Sequence, residues 1–464
     1  MIRKTITLGV APVKRASRDM NFAKKQKDRF MAVIRAIRPD FVTIVDIDDL
    51  SENGIAFKND VVPAIVDKFK AAKIDALFIP FCDFGEESVA SAIAASFRLP
   101  TLVWGNRDTF PNTKAGRGPD TQCGMFAATK VMARRGVRYS YIHNVPCESD
   151  IFKNGYLNFI RFANVIKDLS TLTIAKLGSR PTTFWSVMTN EAELLTKLNI
   201  GVVPVSMPRV LTAAQKLREE RGEAFEQYLE SLKGRFDTRA MTQEQLEKTA
   251  ALKLAVGDAV RATGVDACAF ECWPEFGPSY GMMPCVLLGD LMDEGLPLAC
   301  ECDLNGAISQ IIAHAMNLYD ESVFLADLTI RNPDDDHSEL LWHCGPFPYS
   351  LKAKGSEAEL IEGQEQFYIK EGDLTLCRFD DLDGKYYLFA GEGKSKPTSG
   401  PVTTGTYTYL EVDDWKRWEE KLIFGPYIHH VAGVYGNYLP VLREVARYLD
   451  LNFDNAHEQG VYSL

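Results

Sequence analysis

Hydrophobic and polar residues alternate with two different periods along residues 1–170. Short runs of β-branched and aromatic residues predict strands, and apolar residues spaced three or four apart predict helices. The predicted strands are Thr5–Val10, Phe41–Ile47, Ala76–Phe81, Thr101–Gly105 and Tyr139–His143, and the predicted helices between them include Asn21–Ile37, Val61–Lys73 and Glu87–Phe97. Strands and helices in alternation predict a parallel sheet covered on both faces, which binds ligands at the carboxyl ends of its strands.

A second α/β pattern follows. Its predicted strands are Thr171–Lys176, Gly201–Val205, Ala267–Cys272 and Leu298–Cys302. Residues 208–263 are charged and helical in pattern, and we expect Gly222, Gly234 and Gly257 to divide them into two or three helices. The simplest interpretation of this helical stretch is scaffold or subunit contact.

The pattern changes again after Asp327. The segments Glu365–Lys370, Leu374–Phe379, Tyr386–Ala390 and Gly405–Val412 alternate with period two and are separated by turn signals such as Asp383-Gly384. They predict antiparallel β structure, and Tyr435–Leu449 is expected to close the chain as a helix. The predicted fold is therefore α/β: two doubly wound α/β domains (1–170 and 171–325) followed by a C-terminal antiparallel β-barrel-like domain (326–464).

Composition narrows the functional classes. Of 464 residues, 46% are hydrophobic and 25% are charged, which is typical of a globular protein. The formal net charge of −11 argues against binding to nucleic acid or to an anionic membrane surface. No apolar run approaches the roughly 18 residues of a membrane span. The first residues fit an opening strand better than a signal peptide, because no small-residue cleavage site follows them.

The ten cysteines do not form a zinc-type spacing. Most of them lie in apolar segments, where a free thiol packs as a small hydrophobic group. We therefore expect structural free thiols and a reducing, cytoplasmic location.

Four polar residues, each at the edge of an apolar segment, are the main chemical signal. They are Glu301, Asp327, His343 and His430. An ionised carboxylate in a dry site needs a partner, and a divalent metal is the simplest one. Two oxygens and two nitrogens suit Mn²⁺ or a similar ion. Taken singly, Glu301 or Asp303 is explained by a helix N-terminus, and His343 by a satisfied core histidine.

His429 and His430 are adjacent. On a strand they would point to opposite faces, so at most one would serve a given site.

Several strings in the sequence resemble the L-fucose/L-arabinose isomerase superfamily. The most specific are Glu301-Cys-Asp-Leu-Asn-Gly-Ala307, Phe324-Leu-Ala-Asp327 and the pair His429-His430; Leu8-Gly-Val-Ala-Pro-Val13, Trp104-Gly-Asn and Ala269-Phe-Glu-Cys-Trp273 agree with them. The resemblance implies an aldose–ketose isomerase, an intramolecular oxidoreductase, with two α/β domains and a C-terminal β domain. It also implies a symmetric homo-oligomer (trimer or hexamer) with the active site at a subunit interface.

The resemblance assigns roles to individual residues. It implies that Glu301, Asp327 and His430 bind a metal, with His343 matching a further ligand of the arabinose branch. Substrate contacts would come from Glu271, Trp273, His429 and Arg18, and from the loops around Cys82–Phe84 and Arg107. Glu271 stands where the fucose branch has a neutral amide, so a different substrate pocket is expected.

The implied reaction moves a proton between two adjacent carbons of a sugar. A metal such as Mn²⁺ polarises the carbonyl group, and Glu301 and Asp327 divide the two proton transfers by an enediol route. Apolar walls to exclude water are predicted from Trp273, Tyr280 and Trp342. The identity of the sugar stays open between a neutral, a deoxy and an anionic sugar. The basic residues available to bind an anionic group are Lys14, Arg15, Arg18, Arg107 and Arg117.

Three other functions compete with the isomerase. A nucleotide-dependent oxidoreductase lacks support, because no G-x-G-x-x-G motif links a strand to a helix. A non-catalytic sugar-binding protein would suit two α/β lobes but would not need the acids and histidines together. A metal-dependent hydrolase or epimerase fits the same ligand set.

Overall fold

The computed structural model describes residues 4–108, 118–396 and 402–459. The chain forms two compact units, Ile2–Lys167 and Asp168–Leu464. Parallel α/β sheets and a closed antiparallel barrel confirm the predicted fold class. The division into three domains stays a prediction.

The first unit alternates strands and helices as its pattern predicts. Its elements are β1 (Ile6–Val10), α1 (Met20–Ala36), β2 (Val42–Val45), α2 (Val62–Ala71), β3 (Ala76–Phe81), α3 (Glu87–Ala95), β4 (Thr101–Gly105), α4 (Thr121–Arg134), β5 (Ser140–Tyr141) and α5 (Asp150–Ser170). The five strands are parallel in the order β2-β1-β3-β4-β5. All six residues of β3 are buried, as expected for a strand covered on both faces.

The second unit begins with another α/β segment. Its elements are β6 (Thr173–Leu177), α6 (Glu191–Leu198), β7 (Gly201–Val205), α7 (Met207–Glu220), α8 (Glu223–Arg235), α9 (Gln243–Thr263), β8 (Ala267–Phe270), α10 (Phe276–Tyr280), α11 (Cys285–Asp293), β9 (Leu298–Ala299) and α12 (Leu304–Met316). The four strands are parallel in the order β7-β6-β8-β9.

The helical stretch before β8 contains three helices, but two of the predicted breaks are wrong. Gly222 does precede α8 as its N-cap residue. Gly234 lies within the last turn of α8, and Gly257 lies inside α9. Gly257 is buried on the packed face of α9. Tertiary packing there outweighs the low helix propensity of glycine.

The rest of the second unit is mainly β structure. Its elements are β10 (Phe324–Arg331), β11 (Ser338–His343), β12 (Glu359–Ile361), β13 (Gln364–Tyr368), β14 (Gly372–Leu382), β15 (Lys385–Lys396), β16 (Thr406–Glu411), α13 (Trp415–Phe424), β17 (His430–Tyr435), α14 (Leu439–Leu449) and β18 (Asn452–Asn455).

Six antiparallel strands close a barrel in the order β16-β11-β10-β17-β14-β15, because β15 also pairs with β16. The predicted turn joins β14 to β15: Asp383 and Gly384 both have positive φ, 51° and 72°, as a two-residue type I′ hairpin requires. The predicted closing helix begins too early, since Tyr435 still pairs with Leu374 in the sheet. The strand β18 follows that helix.

Helix α12 begins directly after Asp303 and so lies next to the predicted site residue Glu301. All 13 of its residues are buried, and it contacts the parallel strand β8 and the barrel strands β14 and β17. Most of its residues are apolar, which suits a helix that is covered on every side. Within the described ranges, no helix combines the length and apolarity that a bilayer span requires.

Candidate active site

Asp327 and His430 lie side by side on neighbouring barrel strands. The antiparallel register pairs Asp327 of β10 with His430, the first residue of β17. Side chains of directly paired residues lie on the same face of a sheet. His430 Nε2 is accordingly 3.5 Å from Asp327 Oδ1. The sheet register therefore explains how two residues more than a hundred positions apart meet.

Glu301 reaches the same point from the turn between β9 and α12. Glu301 and Cys302 both have left-handed backbone conformations, with φ of 63° and 52°. Such conformations cost about 1–2 kcal/mol per non-glycine residue. The Trp273 indole donates to Glu301 Oε1 over 2.5 Å, while Oε2 lies 3.1 Å from His430 Nε2. The strained turn therefore aims one carboxylate oxygen at His430.

The helix-capping alternative applies to Asp303 and not to Glu301. Asp303 is the N-cap residue of α12 and accepts a hydrogen bond of 2.9 Å from the Gly306 amide. The Glu301 carboxylate instead accepts a hydrogen bond from the Trp273 indole. Capping therefore leaves the position of the Glu301 carboxylate unexplained.

A buried ionic network orients His430. Its Nδ1 lies 2.8 Å from Asp303 Oδ2. Arg378 of β14 forms ion pairs with Asp303 and Asp380, and the Arg378 and Asp303 side chains are completely buried. A carboxylate on Nδ1 fixes the orientation of the ring and directs Nε2 at Glu301 and Asp327.

The sequence analysis missed Arg378. The available signal was its position in the apolar run Leu374-Thr-Leu-Cys-Arg-Phe379 of a barrel strand, because a buried arginine needs anionic partners.

The network shifts the pKa values of its members. Burial alone would raise the pKa of Glu301, but the adjacent His430 and the nearby His343 outweigh burial and lower it. Burial alone would lower the pKa of His430, but Asp303 and Glu301 raise it to about 9. Burial also opposes ionisation of Asp303, yet Arg378 and His430 hold the pKa of Asp303 well below its usual range. The two acids are therefore ionised at neutral pH.

His343 is buried at the end of β11, the other neighbour of β10. Its ring centre lies 6.2 Å from that of His430. Its Nδ1 lies 2.9 Å from the Cys344 amide nitrogen and 3.2 Å from Cys344 Sγ, so the ring is held in place by Cys344. Burial would lower the pKa of His343, but the Cys344 thiolate and the Asp327 carboxylate raise it to about 10.

His429 and His430 do not point to opposite sides of the sheet, so that expectation is wrong. His429 Nε2 lies 3.7 Å from Asp327 Oδ1, the same oxygen that faces His430. Strand β17 begins only at His430, so the alternation of strand side chains does not include His429. The His429 side chain is 43% exposed.

Aromatic rings form one wall of this site. Phe184 packs against His429, His430 and Trp273, with ring centres 5.9, 5.7 and 6.0 Å apart. The sequence analysis missed Phe184, and no residue pattern marks it. Tyr280, predicted as a wall, instead stacks on Phe276 and donates a hydrogen bond to the Lys248 carbonyl.

Trp342 and Glu271, two further residues predicted to lie at the substrate site, have hydrogen-bond partners within the protein. Trp342 pairs with Asp327 in the sheet, and its indole donates to the Thr404 carbonyl. Glu271 follows β8 and accepts a hydrogen bond of 2.9 Å from the Ser179 amide.

The basic candidates belong to the first unit. Arg18 donates to the Gly118 carbonyl over 2.6 Å, Arg107 donates to the Asn144 carbonyl, and the buried Lys14 donates to the Arg15 carbonyl. Arg117 lies outside the described residues.

The donor set fits a divalent cation. Ligand atoms of Asp327, His429 and His430 lie within 4.8 Å of one another. Among the described residues, Glu301 Oε2 and Asp327 Oδ1 are buried and receive no hydrogen bond, and both face His430 Nε2. Buried polar atoms are rarely left unsatisfied, and a cation between these oxygens would satisfy both. Carboxylate and imidazole ligands together suit Mn²⁺, Zn²⁺ or Fe²⁺.

Comparison with known proteins agrees with this architecture. Residues 9–170 match the family description "Fucose/sulfoquinovose isomerase, N-terminal domain", and residues 342–457 match "L-fucose isomerase, C-terminal domain". The sulfoquinovose isomerases of Priestia aryabhattai and Priestia megaterium are each 25% identical over 396 residues, 83% of this chain and 86% of theirs. The sulfoquinovose isomerase of Alkalicoccus urumqiensis is 24% identical over 339 residues, 71% of this chain and 75% of its own.

The fold, the site and these relatives define the class of protein: an aldose–ketose isomerase, an intramolecular oxidoreductase that acts on a sugar. The chain belongs to the fucose isomerase-like superfamily. A purely sugar-binding function is thereby excluded.

Proposed function

We propose that this protein is a divalent-metal-dependent isomerase that interconverts an anionic, sulfonated aldose and its ketose by enediol proton transfer. The observation that carries the proposal is a pair of buried carboxylate oxygens, Glu301 Oε2 and Asp327 Oδ1, which receive no hydrogen bond from the described residues and face the same imidazole nitrogen of His430. The relatives named sulfoquinovose isomerase support the choice of substrate.

The metal would be held by Glu301, Asp327 and His430, with Mn²⁺ the ion we favour. When bound, it supplies Lewis-acid polarisation of the sugar carbonyl and of the adjacent hydroxyl. His430 would bind the metal through Nε2, because its Nδ1 is in contact with Asp303. A divalent ion would also take the place of the proton that His430 holds when its pKa is near 9.

The Glu301 and Asp327 carboxylates perform the proton transfers. One removes the proton from the carbon next to the carbonyl, and the other moves the hydroxyl proton, as general acid–base catalysis requires. The Trp273 hydrogen bond fixes Glu301 Oε1 and leaves Oε2 directed at the site. The rings of Phe184 and Trp273 cover one side of the histidines and exclude water from it.

The anionic end of the sugar needs a basic partner. We keep Arg18, supplied by a neighbouring subunit, as that partner and expect Arg18→Gln to raise KM for a sulfonated aldose at least tenfold. A neutral aldose turned over by the same enzyme should show no such increase. Glu271, Trp273 and His429 stay proposed substrate contacts. We also propose that the protein is a homo-oligomer (trimer or hexamer), which light scattering after gel filtration tests. Its proposed location is the cytoplasm.

The function is tested by incubating the enzyme and Mn²⁺ with sulfoquinovose, L-fucose and L-arabinose in D₂O. We expect conversion of the sulfonated aldose to its ketose with deuterium incorporated at C1 of the ketose, because the proton is removed from C2 and a proton is delivered to C1. Glu301→Gln and Asp327→Asn should each reduce kcat at least a thousandfold without changing the melting temperature by more than a few degrees. Near-native turnover by either variant would refute the assignment, and hydrolysis or epimerisation without a ketose would refute the reaction.

A further inference from the structure

Loops that follow three neighbouring parallel strands contribute to the candidate active site. The strands β6, β8 and β9 are adjacent in one sheet and run in the same direction. Glu301 follows β9, Trp273 follows β8, and Phe184 lies in the loop after β6, residues 178–190. Ligands of parallel sheets bind across the carboxyl ends of the strands. Two strand spacings are about 10 Å, which is comparable to the length of an extended hexose, so a sugar with its reacting carbons at Glu301 would reach the loop after β6.

The loop after β6 is anchored at both ends. Near its start, the Ser179 amide donates to Glu271 Oε2 over 2.9 Å. Near its end, the Thr189 hydroxyl donates to Asp381 Oδ1 over 2.7 Å. Between these anchors, the ring of Phe184 packs against both histidines of the site. The loop is therefore held beside the site in one conformation.

Arg180 is the basic residue of this loop. Its side chain is half-buried. Its Nη1 donates to three carbonyl oxygens of the same loop, over 3.2, 3.5 and 3.4 Å, those of Pro181, Thr182 and Phe184. Within the described part of the chain, Nε and Nη2 have no acceptor. These two nitrogens form one edge of the planar guanidinium group, and such an edge can donate in parallel to two oxygens of an oxyanion.

Arg180 differs from the comparable arginines of the second unit in having no anionic partner. Among the described residues, the other arginines of this unit that are buried or half-buried are Arg218, Arg235 and Arg378. Each of them forms an ion pair with a carboxylate, whereas no described carboxylate pairs with Arg180. A charge that is partly withdrawn from water needs a partner of opposite charge. An anionic group on a ligand would supply that partner.

We propose that Arg180 binds the sulfonate group of the sugar and thereby determines the specificity for an anionic aldose. This inference rests on the proposed function and deepens it, since it gives the anion a partner in the same unit as Glu301 and Asp327. The reacting carbons would lie at the β9 side of the sheet edge and the sulfonate at the β6 side. A sulfonate has three oxygens, so Arg18 of a neighbouring subunit and Arg180 can bind it together.

Sulfoquinovose and the same sugar without its sulfonate, 6-deoxy-D-glucose, separate anion binding from a structural role of Arg180. We expect Arg180→Gln to raise KM for sulfoquinovose about 10- to 100-fold, with kcat within about threefold of the wild-type value. The Ki of 6-deoxy-D-glucose as a competitor should not change, because this sugar has no group for Arg180 to bind. Arg180→Lys keeps the charge but loses the paired donors, so its KM should lie between the two. The control is Arg209→Gln, which removes an exposed arginine of the same unit and should leave all of these values unchanged.

An unchanged KM for sulfoquinovose in Arg180→Gln would overturn the proposal. An equal rise in the Ki of 6-deoxy-D-glucose, or a fall in kcat alone, would also overturn it, because either result indicates that Arg180 only shapes the loop. If Arg180→Gln does not fold, Arg180→Lys decides by the same comparison of the two sugars.

A wild-type enzyme that converts a neutral aldose but not sulfoquinovose would refute the proposed substrate instead. In that case inorganic sulfate tests Arg180 independently of the substrate. Sulfate should inhibit the wild-type enzyme competitively and Arg180→Gln at least about fivefold more weakly. Equal inhibition of the two enzymes would overturn the role of Arg180 as an anion-binding residue.

Discussion

Arg378 and Asp303 form a fully buried ion pair directly behind His430. Arg378 Nη2 lies 3.1 Å from Asp303 Oδ1, and both side chains are completely inaccessible to solvent. Asp303 Oδ2 in turn contacts His430 Nδ1. The pair therefore links the stability of the barrel to the orientation of a proposed metal ligand.

Arg378→Met is expected to lower the free energy of unfolding by about 3–5 kcal/mol. Removing one partner of a buried ion pair leaves an uncompensated charge in a dry environment, here the carboxylates of Asp303 and Asp380. Urea denaturation followed by circular dichroism measures the change. The control is Arg443→Ala, which breaks the exposed pair with Glu458 and should cost less than about 1 kcal/mol. Equal effects of the two substitutions would contradict the structural role of Arg378.

Asp303→Asn should weaken Mn²⁺ binding about 10- to 100-fold, because loss of the carboxylate behind a ligating histidine loosens the ligand and reduces its basicity. Equilibrium dialysis measures the Kd. Asp380→Asn is the matched control: it removes the other carboxylate that pairs with Arg378 over 2.9 Å, but it is not among the contacts of His430. We expect the Kd of Asp380→Asn to stay within about threefold of wild type, and a comparable loss in both variants would argue for a general effect of charge.

Trp273→Phe should move the acidic limb of the kcat/KM profile to higher pH. The Trp273 hydrogen bond is one of the contacts that lower the pKa of Glu301. A hydrogen bond to a carboxylate favours its charged form, so its removal raises the pKa and the acid is active only at higher pH. Trp342→Phe removes an indole that donates to the Thr404 carbonyl and should leave the limb unmoved. An unshifted profile in Trp273→Phe would show that this hydrogen bond does not set the Glu301 pKa.

The buried His314 is expected to make the folded protein less stable in mild acid. This residue of α12 is buried, and burial lowers its pKa from 6.5 to about 4. Between these two values the unfolded chain binds a proton that the folded chain excludes, so stability falls as the pH decreases. The loss at pH 4 amounts to about 3 kcal/mol at most. His314→Leu should remove this part of the pH dependence in melting experiments between pH 7 and pH 4, and an unchanged slope would refute the assignment.

Much of the fold was predictable because the parallel strands have short, almost uninterrupted apolar sequences. Ala76–Phe81, Thr101–Gly105 and Gly201–Val205 begin and end where the pattern places them. The breaks expected at Gly234 and Gly257 were wrong because helix packing overrides local propensity. The closing helix was predicted to begin at Tyr435, but this residue is the last of β17 and pairs across the sheet with Leu374, a contact that no local pattern records.

The site was only partly predictable for a similar reason. Glu301, Asp327 and His430 were noticeable as polar residues at the edges of apolar segments, and the structure brings them together. Arg378 acts through Asp303, which lies 75 residues earlier, and their contact depends on how α12 packs against the barrel. Phe184 lies on a loop after β6 and meets the histidines only through the fold.

The most direct test of the central claim is a crystal structure of the wild-type protein grown with Mn²⁺, with anomalous scattering measured on both sides of the manganese absorption edge. We predict one strong manganese peak within about 2.0–2.3 Å of Glu301, Asp327 and His430. A peak at another position, or no peak at saturating Mn²⁺, would contradict the account.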